Sequence, residues 1–251
     1  LVFDFHGFGE GAVIHTMMSE AGPIAAREGF AVVYPQGRGS PAFWQINITG
    51  PNPDLDFVDA LLDRLDADLC VDLTRFYVMG LSNGAFMSST LGCARSDRFA
   101  AIAPVAGVQH ASGCAPNRPV PVVSFHGTAD PILGFNGGFG SIGGTTTTTA
   151  VPVDLHGPGY PANVAAWAAA NGCEPDDTDT PVTDEVILRV YDCPDGADVE
   201  FFIILEGGHA WPGSAFSVAI AAVVGYTTLD IHASEEAWSF FERFHLPRWT
   251  E

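Results

Sequence analysis

A chain of 251 residues, 47% of them hydrophobic, is enough for one large α/β domain and too apolar for a disordered one. Its formal net charge of −20, with ten basic residues that are all arginine, excludes nucleic acid and anionic membranes as natural partners. No uninterrupted apolar stretch approaches the roughly 20 residues of a transmembrane helix; the longest candidate, 215–226, is too short and holds a glycine.

In chain order, residues 1–5 read as a strand ending in His6-Gly-Phe-Gly9. Residues 15–28 read as a helix stopped by Gly29, and 30–34 as a second strand closed by Pro35-Gln-Gly37. A Gly-, Pro- and Asn-rich loop, 38–53, carries Phe43 and Trp44. Leu55, Val58, Leu61, Leu62 and Leu65 share one face of a helix over 54–69. The apolar run 75–79 predicts a buried strand, followed by a turn at Gly80-Leu-Ser-Asn-Gly84 and a helix to about Ala94. Residues 99–105 and 120–125 are two more buried strands. Residues 134–159 hold many glycines and the run Thr145–Thr149, and read as a long lid-like excursion. A helix over 160–171 ends at Gly172, and strands 185–191 and 199–205 form a hairpin through the turn residues between them. If 199–205 continues a parallel sheet, 185–191 runs antiparallel at its edge. Residues 214–230 are small and apolar and fit no element clearly; Ser234 caps a last helix, 235–244. Strands alternating with helices predict an α/β fold with a mostly parallel central sheet and helices on both faces, in one domain over 1–251. The acidic stretches 54–72 and 174–179 read as solvated surface. With no leader before the first strand, a mature chain or one lacking leading residues is expected.

Five cysteines point to an oxidising compartment. Pairing Cys93 with Cys114 and Cys173 with Cys193 would close two loops of about 20 residues, each stabilising by roughly 3 kcal/mol. Four cysteines admit three connectivities, which the spacing leaves open. Cys70 is then expected to be a buried free thiol. Zinc is a poor alternative, because no C-x2-C or H-x3-H spacing occurs.

Gly80-Leu-Ser-Asn-Gly84 is a G-x-S-x-G pattern between a strand and a helix, the setting of a nucleophile elbow. The alternative is an ordinary strand-to-helix turn with a serine N-cap. A serine needs a base, and the base a carboxylate to orient it. Asp130 follows strand 120–125 and His209 follows strand 199–205, in the order Ser, Asp, His and beyond strand ends. Asp154 is a weaker competitor inside the excursion. His6 and His126 precede glycines at strand ends and are expected to brace turns; His15, His110, His156, His232 and His245 are expected at the surface. A developing oxyanion would be met by the backbone N–H of Asn83 and of Phe8. The aromatics Phe8, Phe43, Trp44, Phe135, Phe139 and Trp211 are candidates to line a substrate cleft.

The blocks His6-Gly-Phe-Gly9, Tyr34-Pro-Gln-Gly37, Gly80-Leu-Ser-Asn-Gly-Ala85, Ala103-Pro-Val-Ala-Gly107, His126-Gly-Thr-Ala-Asp-Pro131 and Gly207-Gly-His-Ala-Trp-Pro-Gly213 resemble the secreted polyhydroxybutyrate-depolymerase and feruloyl-esterase family, itself similar to carbohydrate esterase family one. The resemblance implies an α/β-hydrolase fold, a Ser82–Asp130–His209 triad, no cofactor and no metal, and it supports the disulfides Cys93–Cys114 and Cys173–Cys193. It leads to the expectation of a secreted, monomeric ester hydrolase acting on feruloyl, aryl or related short-acyl esters. A polyester depolymerase and, from another class, a non-catalytic binding protein are the alternatives, with a peptidase a further one, although nothing here resembles the access-restricting domain of many such peptidases. Loop 134–159 departs from the family in length and glycine content, and it bears on the substrate.

Overall fold

The computed structural model describes residues 1–140 and 152–247. The run Thr145–Thr149 lies outside them. In chain order the elements are β1 (Val2–Phe5), α1 (Ala12–Ser19), α2 (Ala21–Glu28), β2 (Val32–Val33), β3 (Arg38–Gly39), β4 (Ala42–Phe43), α3 (Pro53–Asp68), β5 (Tyr77–Leu81), α4 (Asn83–Ala94), β6 (Ala101–Val105), β7 (Val122–Gly127), α5 (Tyr160–Asn171), β8 (Asp177–Pro181), β9 (Val186–Tyr191), β10 (Val199–Ile204), α6 (Ala215–Ala219), α7 (Ala221–Val224) and α8 (Ala233–Phe241). Eight strands form one sheet in the order β2-β1-β5-β6-β7-β10-β9-β8. The first six run parallel, and β9 and β8 are antiparallel to their neighbours.

The strands are apolar on both faces because both are covered. Alternating side chains send Phe3, Phe5, Val78, Phe201 and Ile203 to one layer, packed by α3, α4 and α5. Val2, Tyr77, Met79, Phe202 and Ile204 go to the other, packed by Met18 and Ala21 and by Phe240 and Phe241 of α8.

Several local expectations are corrected. The helix expected over 15–28 is two helices, with Glu20 between them in the left-handed region at φ 51°. Pro23 has no N–H to give the Ser19 carbonyl, so the helix restarts there; that carbonyl instead accepts the Ser234 hydroxyl at 2.5 Å. The cap of α8 is His232, whose Nδ1 accepts the Ser234 N–H, and not Ser234. β9 is not the sheet edge: β8 pairs outside it. The sequence Asp-Thr-Asp-Thr-Pro has no strand-like apolar pattern. Its acids are held by the buried Arg189 of β9, with Nε 2.8 Å from Asp179 and 3.4 Å from Asp177. The surface reading of 174–179 holds in the main, with Asp177 alone half-buried. In the stretch 54–72 it fails for Asp54, buried and accepting the Gln45 N–H at 2.8 Å.

Cys93–Cys114 and Cys173–Cys193 form disulfides. Cys70 is free but exposed, not buried. It lies just past α3, where the chain has left that helix's apolar face.

Candidate active site

The chain runs from β1 to β2 on one side and then crosses to β5 on the other. The loops after β1 and β5 therefore diverge, and such a reversal opens a crevice at the carboxyl ends of the strands. Ser82 stands at the end of β5, on that crevice. Its φ is 57° and ψ −115°, and its side chain makes no capping hydrogen bond to α4. An N-cap serine has extended backbone and caps through its hydroxyl, so the simple-cap alternative fails. The two glycines make the turn possible. A Cβ on Gly84 would lie 2.0 Å from the Phe5 carbonyl oxygen, and one on Gly80 2.6 Å from the same atom.

Asp130 sits three residues beyond β7, and His209 in the loop after β10. His209 Nδ1 and Asp130 Oδ2 are 2.8 Å apart, both groups buried. Asp130 Oδ1 accepts the N–H groups of Ile132 and Leu133, each at 2.8 Å. Burial pushes the Asp130 carboxyl up, but hydrogen bonds from His126 and His209 outweigh it and hold it well below the usual carboxylate range. His126 does brace the turn: its Nε2 donates to the Leu133 carbonyl at 2.9 Å, and its ring stacks on Tyr160 at 3.8 Å. His209 is fixed from behind by its N–H to the Val224 carbonyl, 2.6 Å. Asp154 stays apart, in an exposed turn, accepting the His156 N–H.

Ser82, Asn83 and His209 line one open cavity of about 520 Å³. Phe8 and Phe139 are on its wall, as expected. The other four expected lining residues are not. Trp44 is buried, donating Nε1–H to the His6 carbonyl and packing edge-on against Phe5. Trp211 is buried, with Nε1–H on Ser234. Phe135 is buried against Phe201. Phe43 is exposed beside Phe8, with ring centroids 6.5 Å apart. The other wall residues are Ile14 and Met18 of α1, Ile46, and Phe216, Ile220 and Val223 of the segment 214–230 that no sequence signal placed, more aliphatic than aromatic. Of these only α1 had a clue, an apolar Val-Ile-x-x-Met run too rich for its buried face.

The loop after β1 is tied on either side of Phe8. Gly7 N–H goes to Glu10 Oε2 at 2.6 Å, and Gly9 N–H to the Ala42 carbonyl at 2.7 Å. The Asn83 side chain is occupied with the Trp44 backbone, accepting its N–H at 2.7 Å and donating to its carbonyl at 3.1 Å.

His15, expected at the surface, is fully buried between Asp4 (Nε2 to Oδ1, 2.7 Å) and Glu10 (Nδ1 to Oε1, 3.0 Å). Burial disfavours its charged form, yet the two carboxylates win and raise its pKa from 6.5 to about 10. The folded chain therefore binds one more proton than the unfolded chain between those values. The stabilisation is complete below pH 6.5 and is lost as pH rises through about 10. Calorimetric Tm should fall steadily from pH 7 to pH 10; a flat profile would show that His15 is not held protonated.

Among the described residues, His156, Asp177 and Asp179 stand at metal-ligand spacing. The Arg189 guanidinium lies on this group, with a second donor on the Leu155 carbonyl at 2.7 Å, so the acids already have their cation.

The model of the prolyl oligopeptidase family matches residues 17–136, which include Ser82 and Asp130. Feruloyl esterase B of Piromyces equi is 30% identical over 204 residues, 76% of this chain and 36% of that protein. A protein named probable feruloyl esterase C in Aspergillus niger is 29% identical over 157 residues, 62% of this chain and 50% of that one. The chain is an α/β-hydrolase with feruloyl esterases among its relatives. An acetyl xylan esterase from Aspergillus awamori superposes with a TM-score of 0.63 at 15% identity, covering 96% of this chain and 88% of that one, a likeness of fold. This α/β-hydrolase spans half or less of the length of those two feruloyl esterases. The feruloyl esterase part of the resemblance rests now on these relatives; the depolymerase part rests on the motifs alone.

Proposed function

We propose that this hydrolase is a serine carboxylic-ester hydrolase working through an acyl-enzyme. The observation that carries the reading is the buried Asp130–His209 pair at 2.8 Å, opening on the cavity that Ser82 also lines. Ser82 Oγ attacks the ester carbonyl carbon while His209 Nε2 takes its proton. The proton passes to the departing alkoxide, and water then repeats the sequence to free the acid. Asp130, kept ionised, holds the Nδ1–H and stabilises the imidazolium. The N–H groups of Phe8 and Asn83 receive the oxyanion, each worth about 2.7–4 kcal/mol at the transition state.

The aliphatic walls suit an uncharged acyl or alcohol group, and the cavity's one carboxylate, Glu10, is engaged by Gly7 and His15. Feruloyl and related short-acyl esters are the substrates the relatives suggest. A second reading, a polyester depolymerase, draws on the exposed rings of Phe8, Phe43 and Phe139 near the mouth, which would grip an extended apolar strand. The two disulfides support secretion, and we infer a monomer.

Turnover of methyl ferulate, short-chain p-nitrophenyl esters and polyhydroxybutyrate film, side by side, tests these readings. Hydrolysis of the first two is expected. Activity on the film with none on methyl ferulate would favour the second reading, and hydrolysis of none of them would overturn both.

A further inference from the structure

We propose that the buried cluster Asp4–His15–Glu10 is a positioning device for the oxyanion side of the site, with Glu10 as the residue that fixes the Gly7–Phe8 turn over Ser82. The inference rests on the esterase reading above.

Both nitrogens of His15 face carboxylate oxygens, Asp4 Oδ1 at 2.7 Å and Glu10 Oε1 at 3.0 Å. Each must carry a proton, so the ring is an imidazolium bridging two acids. The second oxygen of Glu10 accepts the Gly7 N–H at 2.6 Å, and the Glu10 N–H returns to the Gly7 carbonyl at 3.2 Å. The tie runs unbroken from β1 through α1 to the turn. That turn lies directly on the nucleophile: the Cβ position of Gly7 is 3.6 Å from Ser82 Cβ and 3.6 Å from the Leu81 carbonyl oxygen. A shift of Gly7 moves the Phe8 N–H with it. The imidazole also meets Trp211 edge-on at 5.6 Å, two residues past His209. One charged ring thus borders both the oxyanion turn and the loop of the base.

Stability alone does not account for the cluster. Asp4 and His15 lie wholly out of water and Glu10 partly so; burying charged groups costs several kcal/mol each, and well-packed apolar side chains commonly do as well. What apolar side chains cannot supply is an acceptor for the Gly7 N–H at a fixed place. Oxyanion donors act only when aimed at the tetrahedral oxygen, so an error in that place is felt in kcat.

The test uses Glu10→Ala, Glu10→Asp and Glu10→Gln, with Ser82→Ala as reference, on p-nitrophenyl butyrate, and the affinity of butylboronic acid as a tetrahedral-adduct probe. Ser82→Ala must be inactive; if it is active, the esterase reading itself is wrong. Given an inactive Ser82→Ala, Glu10→Ala should lower kcat by about 100-fold, the size of one lost oxyanion donor, with KM changed less than about threefold. Boronate affinity should fall in parallel. If Glu10→Ala does not fold, the other two variants decide. Gln keeps the reach to Gly7 and gives up the charge; Asp keeps the charge and withdraws the oxygen. Positioning requires Gln to be the more active. Asp more active than Gln, a kcat for folded Glu10→Ala within about threefold of the parent, or an unchanged boronate affinity would overturn the proposal.

Discussion

Ser82→Ala is expected to lower kcat for p-nitrophenyl acetate by about a million-fold while leaving the melting temperature near that of the parent. The side chain makes no capping bond, so its loss removes chemistry and not structure. His209→Ala should lose a comparable amount, and the double variant little more, because nucleophile and base act as one unit. The activity left over would come from binding and from backbone donors that neither substitution touches. Steady-state kinetics on the two single variants and the double variant check this. Full activity in Ser82→Ala, or losses that multiply, would mean that another group attacks the ester.

Gly84→Ala should be strongly destabilising. The added Cβ would stand 2.0 Å from the Phe5 carbonyl oxygen and 2.8 Å from that of His6, and both obstacles are backbone. β1 and α4 would have to part, at the place where β1 pairs with β5 through Phe5 and Gly80. A loss of about 3 kcal/mol follows, at the upper end for overpacked cores, or roughly 10 °C in Tm. Gly22→Ala is the control. It is a helical glycine with nothing within 4 Å of the new methyl, and it should be neutral or gain up to about 1 kcal/mol. A Gly84→Ala melt within two degrees of the parent would mean the elbow is looser than its contacts require.

What could be read from the sequence divides along physical lines. β5, β6, β7 and β10 are short apolar runs between turn residues, and two-sided burial leaves that mark on any sequence. The polar site residues were legible because each needs an unusual turn. Ser82 sits between glycines, Asp130 stands before proline, and His209 follows Gly207-Gly208. The cavity walls were not legible. Ile14, Phe216 and Ile220 look like ordinary core until the fold carries α1 and α6 to the crevice. Trp44 and Trp211 err the other way: they lie beside the motifs in sequence but turn inward to give their N–H groups to buried acceptors. β8 was hidden because its pairing depends on Arg189, ten residues or more from the acids it holds. His15 did leave a signal. Asp4 interrupts an otherwise apolar strand, and a carboxylate buried in a parallel sheet needs a cation or a donor nearby.

The outer strands of the sheet have a consequence for the behaviour of the protein in bulk. A sheet ends in unpaired backbone groups, which invite another sheet to dock and start an aggregate. Here one margin, β2, is only two residues long. The other, β8, carries Asp177 and Asp179 and closes on Pro181, which has no N–H to offer. One margin is too brief to template a strand, and the other is interrupted by a proline. Neither margin offers a long, regular row of free backbone groups to another copy.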